Sequence, residues 1–210
     1  MIDRTIVIVL DSFGVGQAPD ANEYGDKGAN TLGHIYESVG LNVPNMKKMG
    51  LFNIDGVKAG LKEETTIGAY GKATEQAKGK NTPVGHWEIA GSITKKPFTT
   101  YTKTGFPDEL VNEFIKRANI GGILGNKAIS GTVVIEELGK EHFETGYPIV
   151  YTSADSTFQI AAHNDVIQLE RLYELCEIAQ DIIKEKNYNI GTVIARPFVG
   201  KLRRFQKNIW

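Results

Sequence analysis

A chain of 210 residues with 41% hydrophobic side chains is long enough to bury a sizeable core in one or two domains. Its 24 basic and 25 acidic side chains leave a formal charge of -1, so no global field draws it to nucleic acid or to an anionic membrane, and small-molecule partners are expected. One cysteine, Cys176, rules out an intramolecular disulfide, and the apolar run Ile6–Leu10 is too short for a membrane span or a secretory segment, so a cytoplasmic protein is expected.

In chain order, Ile6-Val7-Ile8-Val9-Leu10 predicts a strand buried on both faces of a parallel sheet, ending at Asp11. Residues 11 to 30 carry five glycines and prolines among polar side chains and predict a loop. Thr31 to Val39 and Pro44 to Met49 predict short helices, each stopped by a glycine, at 40 and 50. Gly68 to Gly79 reads as strand then loop, leading into a second loop, Lys80-Asn81-Thr82-Pro83-Val84-Gly85-His86-Trp87-Glu88. Pro107 to Ala118 predicts an amphipathic helix with Leu110, Val111, Phe114 and Ile115 on one side. After a glycine-rich turn at 121 to 125, Thr132 to Leu138 is ambiguous between helix and strand. Pro148 to Thr152, Phe158 to Ala162 and Thr192 to Val199 predict strands. Leu169, Leu172, Cys176, Ala179 and Ile183 recur at helical steps, which places Cys176 in a packed stripe.

Asp11, at the exit of the first predicted strand, stands where a carboxylate is held rigidly and suits a hard cation. An aspartate there equally suits the cap of a turn. A dinucleotide site is excluded, because Gly14-x-Gly16 leads to Pro19 and more loop instead of a third glycine opening a helix. A phosphatase using a strand-end aspartate as nucleophile is disfavoured by Phe13, which stands where a second aspartate is required. In a third reading, the one a resemblance to the alkaline phosphatase superfamily implies, Asp11 is a metal ligand and the nucleophile is a hydroxyl on another loop, for which Thr82 is the candidate. A threonine hydroxyl needs activation and a fixed loop to attack phosphorus. Pro83 and Gly85 shape such a loop, and Lys80 can neutralise phosphate charge. Taken alone, that segment also reads as an ordinary solvent loop.

Several ordered blocks resemble phosphopentomutases of the alkaline phosphatase superfamily. Val9-Leu10-Asp11-Ser12-Phe13-Gly14-Val15-Gly16 and Asn30-Thr31-Leu32-Gly33-His34-Ile35 resemble their opening, and Gly79-Lys80-Asn81-Thr82-Pro83-Val84-Gly85-His86-Trp87-Glu88 resembles their nucleophile loop. Tyr151-Thr152-Ser153-Ala154-Asp155-Ser156, Gln159-Ile160-Ala161-Ala162-His163 and Ile194-Ala195-Arg196-Pro197-Phe198-Val199-Gly200 resemble their cap domain. The fold this implies is α/β: an incomplete parallel-sheet core segment at 1–95, an inserted α+β cap at 96–200, and an aberrant basic tail at 201–210. The implied activity interconverts ribose or deoxyribose 1- and 5-phosphates through a phosphothreonine, with two Mn2+ ions. The resemblance makes Thr82 the nucleophile and a bridging metal ligand, Asp11 a metal ligand, and Ser153 and Asp155 holders of sugar hydroxyls. Lys80, Asn81 and His86 support the site.

Two departures qualify this. Asn81 stands where the family usually has aspartate, and the family's remaining metal ligands belong to a C-terminal half outside these 210 residues, so the chain alone is expected to be inactive. The alternatives are a non-catalytic fragment that binds ribose phosphates, and a relative such as cofactor-independent phosphoglycerate mutase. The threonine nucleophile and the Ser153-Ala154-Asp155 block speak against the latter.

Overall fold

The computed structural model describes residues 3–10, 13–201 and 204–207, and side chains outside 201 and 204–207. The chain forms two compact units, Met1–Glu75 and Gln76–Trp210. The functional division expected from sequence falls instead at 95/96, so the segment around Thr82 packs within the second unit.

In the first unit, α1 (Thr31–Val39) and α2 (Pro44–Met49) form where their stop glycines predict. Asn30 caps α1 by accepting from the Gly33 amide at 3.1 Å, and its Oδ1 also accepts from Gly16 at 3.2 Å, so one side chain pins the glycine-rich loop to the helix. A small core of Leu32, Leu51, Phe52 and Ala59 holds the unit together. A cavity of about 600 Å³ opens between Phe13–Pro19 and residues 55–56 and 71–75. Two expectations are corrected here. Neither Ile6–Leu10 nor 68–79 is a strand: the unit has none among its described residues, and Ile6, Val7 and Ile8 are 75%, 71% and 79% exposed. A strand exists only through its ladder, and all the sheet pairings described are made in the second unit.

The second unit is a five-stranded sheet between helices. Its helices are α3 (Thr82–Ile89), α4 (Asp108–Ala118), α5 (Gly131–Thr145) and α6 (Leu169–Glu185). Its strands are β1 (Leu124–Ala128), β2 (Ile149–Thr152), β3 (Thr157–His163), β4 (Thr192–Lys201) and β5 (Arg204–Lys207), in the spatial order of the chain. β1 and β2 are parallel and joined through α5; β3 and β4 are parallel and joined through α6. The two β-α-β units meet where β2 pairs antiparallel with β3, and residues 153–156 make the tight connection between them.

Alternation along the strands sends side chains to two faces. Val150, Phe158, Ile160 and Ala162 pack with Leu110, Phe114, Leu172 and Leu175 under α4 and α6, while Ile149, Tyr151, Ala161 and Phe198 pack with Val134 and Ile135 under α5. Each fully buried Leu, Ile or Phe contributes about 1.5–3 kcal/mol. Asp108 and Glu109 open α4 and Lys116 and Arg117 close it, each complementing the helix dipole, and Arg171 of α6 donates to the Ala118 carbonyl at its end. The ambiguous segment 132–138 is helix, capped by Ser130, whose Oγ accepts from the Val133 amide at 3.4 Å. Burial pushes the Cys176 thiol up to about 12, as a packing role requires.

His142 is fully buried on α5. Its Nε2 accepts from the His163 backbone N–H at 2.9 Å, so Nδ1 carries the proton and donates to the Tyr147 carbonyl at 2.6 Å. Both nitrogens are committed in the neutral ring, and burial holds the imidazole below its usual pKa, with nearby His163 adding to the effect. The folded pKa is thus lower than the unfolded one, so stability is full above the unfolded value near 6.5 and is lost as pH falls towards the folded value. Denaturant titrations should show the second unit weakening as pH falls below about 6.5, with a shallower slope in His142→Phe.

Candidate functional site

Thr82, expected on a loop, is the first residue of α3. Asn81 in extended backbone precedes it and Pro83 sits in the first turn, where proline's missing N–H costs nothing. The loop expectation failed because TPVGHWEI has no apolar stripe to betray a helix. The threonine side chain is exposed at the helix N-terminus, the end at which a helix favours negative charge. His86 lies one turn on, its Nδ1 2.8 Å from the Thr82 carbonyl oxygen, a contact to the backbone and not to the hydroxyl. Lys80 is exposed beside this turn.

Helix α3 is tied to the sheet unit at both ends. Both Glu88 carboxylate oxygens accept backbone N–H groups, from Gln76 and Ala77, at 2.8 Å each. Trp87 meets Phe98 edge to face at 6.3 Å. Gly79 has φ of 106°, a left-handed conformation that a side chain resists, and a Cβ there would meet Pro97 at 3.2 Å.

At the other end, the Asn81 amide is buried against Gly191. A Cβ on Gly191 would lie 2.9 Å from Asn81 Nδ2, 3.1 Å from the Phe98 ring and 3.2 Å from the Ser156 carbonyl oxygen. Gly191 therefore lets the residue before Thr82 approach the residue after Asp155. The Gly191 amide in turn donates to the Ser156 carbonyl at 3.0 Å, and Ser156 Oγ donates to the Thr99 carbonyl at 2.5 Å. Both polar atoms of the Asn81 side chain are buried without a protein partner. A neutral amide tolerates that position far better than the aspartate of the resembling family, which would bury a charge with no donor facing it.

Ser153 and Asp155 are half-buried in the β2–β3 connection. Thr152 Oγ1 donates to the Asp155 carbonyl at 3.2 Å and closes the turn. Thr157 Oγ1 donates to Asp155 Oδ1 at 2.8 Å, and the Gln159 amide donates to Ser153 Oγ at 2.5 Å and to Thr157 Oγ1 at 3.1 Å. Arg196 on β4 donates to Gln159 Oε1 at 2.7 Å. Beside it the fully buried Tyr151 phenol is pushed up to about 12 by burial, against the pull of the Arg196 charge, and stays protonated. Gln159 and Arg196 were not singled out from sequence; the cross-strand register that brings them together carries no local signature.

The structure thus gathers Asn81, Thr82, Ser153 and Asp155 in one unit. Asp11 lies outside the described residues. Among the described residues no three His, Cys, Asp or Glu side chains form a group able to hold a metal ion, so these residues do not fit a metal pair.

A family model described as the Metalloenzyme superfamily matches residues 3–144. The chain is 57% identical over 206 residues to a phosphopentomutase of Caldanaerobacter subterraneus subsp. tengcongensis, covering 98% of this chain and 51% of that protein. It is 52% identical over 203 residues to one of Clostridium acetobutylicum, covering 96% and 51%, and 48% identical over 224 aligned positions to one of Yersinia enterocolitica, covering 97% and 55%. The chain therefore spans about half the length of the curated relatives it matches.

Gly191→Ala should cost the second unit about 1–3 kcal/mol, because two of the three neighbours of the new methyl, the Ser156 backbone and the packed Phe98 ring, cannot yield cheaply. Urea denaturation followed by tryptophan fluorescence measures it, and an unchanged midpoint contradicts the close packing described.

Proposed function

The chain belongs to the metalloenzyme superfamily, and from that premise we propose that it carries the nucleophile helix and the sugar-recognition turn of a phosphopentomutase. This isomerase would interconvert ribose 1-phosphate and ribose 5-phosphate, or the deoxy forms, through phosphorylated Thr82. One juxtaposition carries the reading: the residue before Thr82 and the residue after Asp155 both close on Gly191, so an exposed hydroxyl at a helix N-terminus shares a unit with a hydroxyl-carboxylate turn. Resemblance over nearly the whole chain to proteins named phosphopentomutase supports it.

In this proposal residues 1–95 belong to the metal-binding core, with Asp11 as a ligand, and 96–200 to the cap. A phosphoryl group on Thr82 Oγ sits at the positive end of α3, where the first-turn N–H groups have no partner within the helix. In the forward half-reaction the free hydroxyl oxygen of the sugar phosphate bonds to phosphorus as the Thr82 Oγ–P bond breaks, its proton passes to the Thr82 oxygen, and a sugar bisphosphate results; in the return half-reaction Thr82 Oγ bonds to the phosphorus at the other end of the sugar as that P–O bond breaks, and the proton goes back to the freed sugar oxygen. Ser153 and Asp155 hold the sugar by its hydroxyls while it presents first one end and then the other. Lys80 adds positive charge near the transferring group. The superfamily implies a divalent metal ion, which when bound would stabilise charge on the phosphoryl oxygens. Mn2+ belongs to this proposal, its further ligands supplied by the part of the relatives that this chain does not span. By itself the chain would bind ribose phosphates without turnover, in the cytoplasm. No helix among the described residues is long and apolar enough to cross a membrane.

Titration calorimetry should show ribose 5-phosphate binding to the chain, with Ser153→Ala and Asp155→Ala each weakening it roughly tenfold, the scale of one lost polar contact. Binding of 3-phosphoglycerate in preference to ribose 5-phosphate would favour a phosphoglycerate mutase instead and overturn the assignment.

A further inference from the structure

Five side chains, Arg196, Gln159, Thr157, Ser153 and Asp155, form a hydrogen-bond chain whose direction is fixed from one end. Arginine can only donate, so the Gln159 atom 2.7 Å from the guanidinium must be the carbonyl oxygen. The other end of that amide is then NH2, which only donates. It gives its hydrogens to Ser153 Oγ at 2.5 Å and Thr157 Oγ1 at 3.1 Å. Thr157 accepts from Gln159 and passes its own hydrogen to Asp155 Oδ1 at 2.8 Å. Gln159 is 2% exposed and Thr157 1%, so water cannot substitute for either partner or let the amide flip without leaving two donors face to face.

We infer that Arg196 and Gln159 are positioning residues that set the polarity of the sugar-recognition turn, so that Ser153 is presented as a donor and Asp155 as an acceptor. The inference rests on the sugar-binding role of that turn proposed above. Ser153 has its lone pair engaged by Gln159 and its hydrogen left to give. Asp155 has Oδ1 engaged by Thr157, while Oδ2 accepts no hydrogen bond from any described residue. A paired donor and acceptor on one turn matches a hydroxyl, which accepts and donates together. A phosphate oxygen meets the Asp155 charge and is rejected, and a carbon without its hydroxyl leaves both groups unpaired. The turn therefore reads the sugar's hydroxyls and turns its phosphate away.

Gln159→Glu is nearly isosteric but has only acceptors at neutral pH, so Ser153 must turn its hydrogen inward and stop donating to the ligand. Arg196→Met leaves the Gln159 amide free to flip, whereas Arg196→Lys keeps a donor facing Oε1. In the full chain, Gln159→Glu and Arg196→Met should each weaken ribose 5-phosphate binding roughly tenfold, with Arg196→Lys staying within about threefold of the parent. Inorganic phosphate binding should not change. A ligand-free readout stands beside these: the Gln159 side-chain amide protons should exchange slowly in the parent, as buried donors do, and faster in Arg196→Met. Fast exchange of those protons in the parent, or affinity within twofold in Gln159→Glu, overturns the relay. Protected Gln159 protons in a parent chain that binds no ribose 5-phosphate overturn the sugar-phosphate reading above and with it the ligand assigned here, while the hydrogen-bond geometry stands. Equal losses for ribose 5-phosphate and inorganic phosphate also overturn the inference, since they indicate general damage.

Discussion

β3 lies in the middle of a sheet with helices on both faces, and every one of its seven residues is buried. Three of them, Thr157, Gln159 and His163, carry polar side chains, and a buried polar group left unpaired costs about 1–3 kcal/mol. That requirement organises the unit. The His163 backbone N–H is met by His142 from α5, and the His163 ring is engaged by the Asp165 amide and the Gly200 carbonyl. At the opposite end of the strand, Thr157 and Gln159 are satisfied, among the described residues, by one another and by Arg196, Ser153 and Asp155. The same hydrogen bonds that make the strand tolerable inside the core orient the turn that follows β2.

In the proposed reading, stability and recognition are therefore not separable at this turn. A sugar-binding pair built on a free loop would pay ordering entropy on each encounter, whereas a pair fixed by buried donors has lost that freedom on folding. The Thr82 helix is fixed by different means: a carboxylate accepting two backbone N–H groups, an aromatic edge contact, and a glycine that admits the Asn81 amide beside the Ser156 backbone. Asn81 fits this account as a neutral group in a place without a counter-charge.

Much of this was legible in the sequence. The bounds of α1 and α2, the stripe of α6, and β2, β3 and β4 follow from periodicity and stop residues, since each buries a regular face. Three elements escaped, among them β5, whose residues read only as part of a basic tail. β1, with sequence LGNKA, is polar, and its register shifts between Gly125 and Lys127, where Asn126 has a φ of 51° and bonds both the N–H and the C=O of Phe106. α3 has no apolar stripe because its contacts come from single residues. Ile6–Leu10 failed in the other direction: an apolar β-branched run states a propensity, and only a neighbouring strand makes it a strand. At the site, Ser153, Asp155 and Thr82 were named through resemblance, while the direction of the bonds holding them depends on cross-strand neighbours that no local pattern reveals.

In the proposed function the second unit is already folded into a sugar-hydroxyl reader set beside the Thr82 helix. Titrating ribose 5-phosphate into the ¹⁵N-labelled chain and mapping the amide shifts tests it most directly. Saturable shifts confined to residues 81–86, 153–159 and 191–196 are expected. Shifts confined instead to the cavity lined by Phe13–Pro19 and 71–75, with the β2–β3 turn unmoved, would contradict it.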